Sequence, residues 1–240
     1  MFFLIPLRII TMIYLLAALL PGFFLLRYIY SKDHMEKENP LLLGSLLLQG
    51  VWAAFVSIIF EWVGESILDV SLSQESPYYV LILAFLVVGA VEEGTKFFFL
   101  KRKTWNIPDF NYTFDGIVYA VFVSMGFALF ENIKYVFGYG LPVAFSRAFL
   151  AVPAHMGFAV FMGYFFSRAK RAENRGNRIG SVCNQIAAYV IAVLLHGFYD
   201  STAMKGTSLS TLLFIVFVVA MYLIVINLVK KESKKDSCIY

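Results

Sequence analysis

Charge is what this chain has least of. Asp, Glu, Lys and Arg make up 15% of its 240 residues, and 60% are apolar; a soluble domain carries about one-quarter charged residues. A soluble chain of this composition would display broad apolar patches and aggregate, and so high an apolar content equally excludes a disordered chain. Cysteine is nearly absent: Cys183 and Cys238 form no CxxC and no disulfide framework. Cys238 is third from the end, so it is not part of a prenylation box. A net charge of +4 is too small for a basic nucleic-acid binder. What is abundant is aromatic and aliphatic: 25 Phe, 14 Tyr and a mean hydropathy of +0.75.

These residues fall into runs of about 20, the length that crosses a hydrocarbon core of about 30 Å. The expected architecture is all-α: a polytopic membrane domain over 1–230 with about seven transmembrane helices, at 9–29, 41–61, 77–100, 114–136, 145–167, 182–203 and 209–229. Helices are expected because backbone in lipid must satisfy its own hydrogen bonds. The first run lacks an A-x-A cleavage site and has basic residues behind it, so it reads as a retained helix and not a signal peptide. With the amino terminus outside, fifteen of the twenty Lys and Arg fall in inner segments, and only Arg8, Lys134, Arg147 and Lys205 fall outside. The positive-inside bias therefore predicts a cytoplasmic carboxyl terminus, with 231–240 a basic cytoplasmic tail near anionic lipid. The loop 62–76 is expected outside, Lys134 and Arg147 are expected to snorkel to the outer headgroups, and the sequon at Asn111 reads as chance on an inner loop. Such a protein belongs in a cell membrane.

Ionisable residues inside the runs carry the functional information: Glu92, Glu93 and Lys96 in the third, Glu131 in the fourth, His155 in the fifth, His196 and Asp200 in the sixth. A charged side chain at a helix centre costs roughly 2.5–3.5 kcal/mol on insertion scales. These groups are therefore expected to face one another or water. Glu92 and Lys96 are spaced i,i+4, as are Phe127 and Glu131, and His196 and Asp200, so each pair shares a helix face. At 1.5 Å per residue, Glu92 lies about 12 Å from the inner end of its run, against about 18–25 Å for His155, His196 and Glu131. Convergence then requires the third helix to continue inward toward Trp105, or to tilt. Asp115 is expected at the inner mouth of its span, and Pro153 is expected to kink the helix that carries His155.

Carboxylates and imidazoles, with no Ser/His/Asp set and no reactive cysteine among them, suit activation of water. One carboxylate serves as general base, and a neighbouring imidazole or protonated acid donates to the developing oxyanion or the leaving amine. HExxH is absent, so a zincin is not expected. Zinc remains open, held by Glu92, Glu131, His155 and His196, although no cofactor is favoured. Proton or ion translocation through the same acids is the alternative from another class, and a non-catalytic scaffold a third.

The motifs also resemble a known family. Glu92-Glu93-Gly94-Thr95-Lys96 matches EExxK, Phe127 to Glu131 matches FxxxE followed by Asn132, His155 stands alone in its helix, and His196 to Asp200 matches HxxxD. With the segment Asp33–Pro40, this pattern is similar to the PrsW family of bacterial intramembrane proteases, relatives of the CAAX prenyl proteases. The resemblance implies hydrolysis of a peptide bond in a single-span membrane protein, specifically the first, extracytoplasmic-side cut of an anti-sigma factor during stress signalling. It implies Glu92 as water activator supported by Glu93, with Glu131 and His155 sharing the proton and His196 stabilising the oxyanion. Lys96, Phe127, Asn132 and Asp200 would support them. Glu131 stands where the CAAX enzymes carry His, and Asp200 where they carry Asn. The implied partners are the substrate and the lipid bilayer, with no nucleic acid.

Overall fold

The computed structural model describes the backbone of residues 4–240 and the side chains of residues 7–240. Helix follows helix: α1 (Leu4–Lys32), α2 (Pro40–Ser71), α3 (Tyr79–Ile82), α4 (Ala90–Thr104), α5 (Asp115–Tyr139), α6 (Leu141–Phe149), α7 (Ala151–Asn174), α8 (Arg178–Met204) and α9 (Ser208–Lys234). A π-helical stretch, Leu83–Gly89, joins α3 to α4 without a break. Among the described residues there is no strand, only an isolated bridge between Tyr112 and Cys238. Six helical segments are long and apolar enough to cross a membrane, with Leu141–Asn174 taken across the junction of α6 and α7. The expected third span is helical over Tyr79–Thr104, but its charges keep it out of those six. The protein is a multi-pass membrane protein.

Local sequence explains the helix ends. Asn39 caps α2, its side chain accepting from the Leu41 N–H at 2.9 Å, and Pro40 fills the first position, where no N–H is needed. Thr207 and Ser210 form a capping box at the start of α9. Two elements differ from the sequence expectation. α2 does not stop at 61 but runs to Ser71, so much of the expected outer loop 62–76 is helix. The expected fifth span is broken at Leu150 into α6 and α7. Pro153, in the first turn of α7, cannot donate to the carbonyl of Phe149. The Tyr222 hydroxyl of α9 donates to that carbonyl instead, at 2.7 Å.

α5 is the centre of the bundle: every residue from Phe114 to Ala128 is buried. A Cβ on Gly126 would strike the Leu47 carbonyl, and one on Gly50 the Val123 carbonyl, so these two glycines let α2 and α5 lie backbone against backbone. Outward faces are apolar: Ile9, Leu16 and Phe23 on α1, and Leu212, Ile215, Val219 and Leu223 on α9, are exposed as a lipid-facing surface requires.

The chain folds back on itself at the end where α1 stops and α5 starts. The expected basic tail is not free: 231–234 are the last turn of α9, and the segment beyond packs on the loop before α5. Asp236 accepts from Thr113 Oγ1 and the Phe114 N–H, both at 2.9 Å, the Ile239 N–H donates to the Asn111 carbonyl at 2.9 Å, and Ile239 is buried. Asn111 donates to Glu36 at 3.0 Å, and Asp115 accepts from the N–H groups of Asn111 and Tyr112. In the loop between α1 and α2, burial pushes the Glu38 carboxyl up to about 7, with nearby Asp33 adding to the rise and the Tyr119 hydroxyl, which donates to it at 2.7 Å, opposing it. Burial likewise pushes Asp33 up to about 6. A carboxyl raised above its unfolded value of about 4.3 stabilises the fold fully below that value, and the contribution is lost as pH rises through about 7. Glu38→Gln keeps an acceptor for Tyr119 and removes the titration. Thermal unfolding in detergent is expected to show the variant more stable than the wild type near pH 8, with a flatter pH dependence from about pH 5 upward.

Candidate functional site

Four helices deliver the ionisable groups to one place. α4 carries Glu92, Glu93 and Lys96, all buried. The Lys96 ammonium donates to Glu92 Oε2 at 3.0 Å and Glu93 Oε1 at 2.8 Å, and lies 3.2 Å from His155 Nδ1. Those are three acceptors for three N–H groups. Its open face covers the Phe127 ring, 4.0 Å from the centroid, which explains the aromatic at the head of the FxxxE pattern. Since Lys96 has only donors, His155 Nδ1 accepts; His155 Nε2 then carries the proton and donates to Glu131 Oε2 at 3.1 Å. His196 lies between two carboxylates, with Nδ1 2.8 Å from Glu93 Oε1 and Nε2 3.3 Å from Asp200 Oδ2. Its ring stacks on Phe158 and stands perpendicular to that of His155, with centroids 5.5 Å apart.

The depth mismatch is closed by the path of α4, which continues past residue 100 to Thr104. Above the acids, the π-helical turn widens the backbone: the Ala90 N–H bonds to the Phe85 carbonyl, five residues back. Gly89 faces α8 at Gly197, and a Cβ on Gly197 would strike the Phe85 ring. This close approach seats Glu93 against His196. On the other side, the Ser124 hydroxyl of α5 donates to the His155 carbonyl at 3.0 Å.

All the residues singled out from the sequence are thus assembled, and three more join them. Arg147, expected at the outer headgroups, instead turns inward from α6: Nη2 lies 2.7 Å from Glu131 Oε2 and Nε donates to Asn132 Oδ1 at 2.8 Å. The Asn132 amide in turn donates to the Ala18 carbonyl at 2.7 Å, tying α1 to the site. The break at Leu150 is what lets α6 fold over the end of α5. Lys134 remains exposed and borders the cavity. Glu61 of α2 also lines the cavity, with Oε1 buried and unpartnered. Ser57, which bonds Thr95 Oγ1 at 2.7 Å, is the third. The spacing Ser57, Glu61, Glu65 marks one polar helix face, a signal hidden by ending the second span at 61.

A cavity of about 260 Å³ opens onto this centre, lined by Glu61, Glu92, Glu131, His155, His196 and Asp200 among others. Glu92 meets it; Glu93 is wholly buried behind. Glu65, Lys134 and Met204 line it too, all near the ends of α2, α5 and α8. Glu131 and His196 each lie eight residues, about 12 Å, from those ends.

Donor atoms of Glu92, Glu93, His155 and His196 lie within 4.8 Å of one another. Two carboxylates and two imidazoles are a zinc-type donor set, and Glu93 Oε2 is buried without a partner. These residues fit a metal ion. The set differs by one from that expected: Glu93 takes the place of Glu131, which is occupied by Arg147 and His155. The Lys96 ammonium uses the same acceptors, so ion and ammonium compete for Glu92, Glu93 and His155.

Comparison with known proteins gives this chain its class, a membrane peptidase. Residues 38–227 match the profile of a family described as "PrsW family intramembrane metalloprotease". Relatives named Protease PrsW include those of Clostridioides difficile (strain 630), 32% identical with 92% of each chain covered, and of Bacillus subtilis (strain 168), 32% identical with 84% of this chain and 88% of the relative covered. The relative from Oceanobacillus iheyensis is 31% identical, with 91% and 95% covered. No solved structure matches. The chain belongs to the PrsW family and is a bacterial membrane protein.

Removing the ammonium tests how the centre is held. Breaking a buried ion pair costs roughly 3–5 kcal/mol because the partner charge is left unpaired. Lys96→Met is therefore expected to lower folded abundance and thermal stability sharply, and adding Glu93→Gln to it to restore part of the loss. Unfolding of the purified variants in detergent measures both.

Proposed function

We propose that this protein cleaves a peptide bond in a single-span membrane protein, on the extracytoplasmic side, with Glu92 as the group that activates water. The observation that carries the reading is the asymmetry of the glutamate pair. Glu92 borders the cavity, while Glu93 is enclosed between Lys96 and His196. Of the two, only Glu92 meets a water or a carbonyl arriving from outside.

Glu92 takes a proton from water as general base and returns it to the leaving amine as the C–N bond breaks, and Lys96 orients its carboxylate. Glu93 fixes the positions of Lys96 and His196. His155, aligned by Lys96 and Glu131, carries its Nε2 proton toward the cavity side, where Arg147 and Glu131 stand. His196 faces the developing oxyanion, and Asp200 orients its ring. Glu92, Glu93, His155 and His196 would hold a metal, which would supply Lewis acidity to a water or a scissile carbonyl.

The cavity lies toward the ends of α2, α5 and α8 that the Lys/Arg bias assigns to the outside, which supports a cut near the outer surface. Carbonyls of a helix in lipid are hydrogen-bonded, so the substrate must unwind locally before attack. An anti-sigma factor with one membrane span is the substrate class that the family resemblance points to.

The test is reconstitution in liposomes with a single-span anti-sigma factor. Glu92→Gln is expected to lower the cleavage rate by about 10²–10⁴-fold with membrane abundance unchanged, and the product termini are expected to map to the extracytoplasmic side. Undiminished cleavage by the variant overturns the role of Glu92. Loss of activity with chelator and recovery with zinc assigns a metal to the site; full activity under chelation assigns water activation to the carboxylate alone.

A further inference from the structure

At the end of the bundle away from the acids, α7 finishes, α8 begins and α9 finishes side by side. Two clefts lie there. One, of about 390 Å³, runs between α7 and α8 and is lined by Arg168, Arg171, Arg175 and Asn184 among others. The other, of about 340 Å³, lies between α7 and α9 and is lined by Ser167, Arg168, Arg171, Lys231 and Lys235 among others. Arg168 and Arg171 belong to both, so the clefts are one basic trough with two lobes. Glu232 is the one carboxylate lining either lobe, against five cations. None of the five makes an ion pair among the described residues. Arg168 donates only to the Tyr164 hydroxyl, at 2.9 Å.

Two buried polar atoms are left without partners here. Ser167 is 3% exposed and its hydroxyl is unpaired; Arg171 Nε is also buried and unpaired. An unpaired buried donor is costly, and both belong to residues that line the trough. Guanidinium groups match phosphate oxygens in a planar, two-pronged geometry.

We propose that this trough binds a phosphate-bearing anion, the headgroup of an acidic phospholipid. The charge bias places this end at the cytoplasmic face, where anionic headgroups meet basic pockets between helices. The site is separate from the acid–imidazole centre and does not depend on the peptidase reading.

Native mass spectrometry of the full-length protein, delipidated in a neutral detergent, tests it. The probes are dioleoylphosphatidylglycerol, tetraoleoyl cardiolipin, dioleoylphosphatidylcholine and inorganic phosphate. Wild type is expected to retain the two acidic lipids and not phosphatidylcholine. Arg171→Ala is expected to weaken retention by about tenfold or more, and Lys205→Ala, at the far end of α8, to leave it unchanged. If Arg171→Ala fails to fold, Lys235→Gln, an exposed position, carries the same test with an expected loss of about fivefold. Inorganic phosphate binding as tightly as the lipids supports the anion site and assigns it to the free ion; tighter lipid binding assigns it to the headgroup. Equal retention of phosphatidylcholine and phosphatidylglycerol, or equal affinity of the folded trough variant and wild type, overturns the proposal.

Discussion

The ammonium of Lys96 holds the interior of this protein together. Two carboxylates and a lysine buried within a helical bundle carry desolvation costs of several kcal/mol per ion. They are tolerated because every N–H of Lys96 has an acceptor and its remaining face covers an aromatic ring. That requirement fixes α4 against α5 and α7, and His196 on Glu93 then fixes α8. The backbone is shaped to allow it. A π-helical stretch precedes the acids, and Gly89 and Gly197 bring α4 and α8 into close approach. Phe127 and Phe158 pack against Lys96 and His196 and supply the low-polarity surroundings.

Around that core the groups divide by their access to the cavity. Glu92, His155 and Asp200 border it, while Glu93 stays enclosed. Arg147 joins this arrangement to α6, and through Asn132 to α1. α1, which places no ionisable group in the centre, therefore still bears on how Glu131 and His155 are set. The break at Leu150 follows from one proline, and Tyr222 of α9 supplies the hydrogen bond that Pro153 cannot. The most apolar of the membrane-length helices thereby stabilises the junction nearest the site.

Much of this was legible in the sequence, because membrane burial makes each ionisable residue informative. Glu92, Lys96, Glu131, His155 and His196 stood out against apolar runs, and i,i+4 spacing put the pairs on shared faces. What the spacing did not carry was the length of helices beyond the apolar run. α2 continues ten residues past its expected end, so Glu61 and the polar face it shares with Ser57 and Glu65 were read as a boundary and a loop. Arg147 was misread for a different reason. At the edge of an apolar run, an arginine facing headgroups and one turned into the bundle look the same; only the break between α6 and α7 distinguishes them. The packing role of the closing segment Asp236–Ile239 was masked by the lysines just before it, Lys230 to Lys235, since Asp236 and the backbone of Ile239 make the contacts.

The central claim is that separate helices bring acid and imidazole into contact inside the bilayer. The chain has only three histidines, His34, His155 and His196, so solid-state NMR of protein carrying ¹⁵N-histidine and ¹³C-glutamate in lipid bilayers reads those contacts with little ambiguity. Through-space correlations are expected from His196 Nδ1 to the Glu93 carboxyl carbon and from His155 Nε2 to that of Glu131, each disappearing when its glutamate is replaced by alanine. Spectra in which neither imidazole correlates with a glutamate carboxyl would contradict the account.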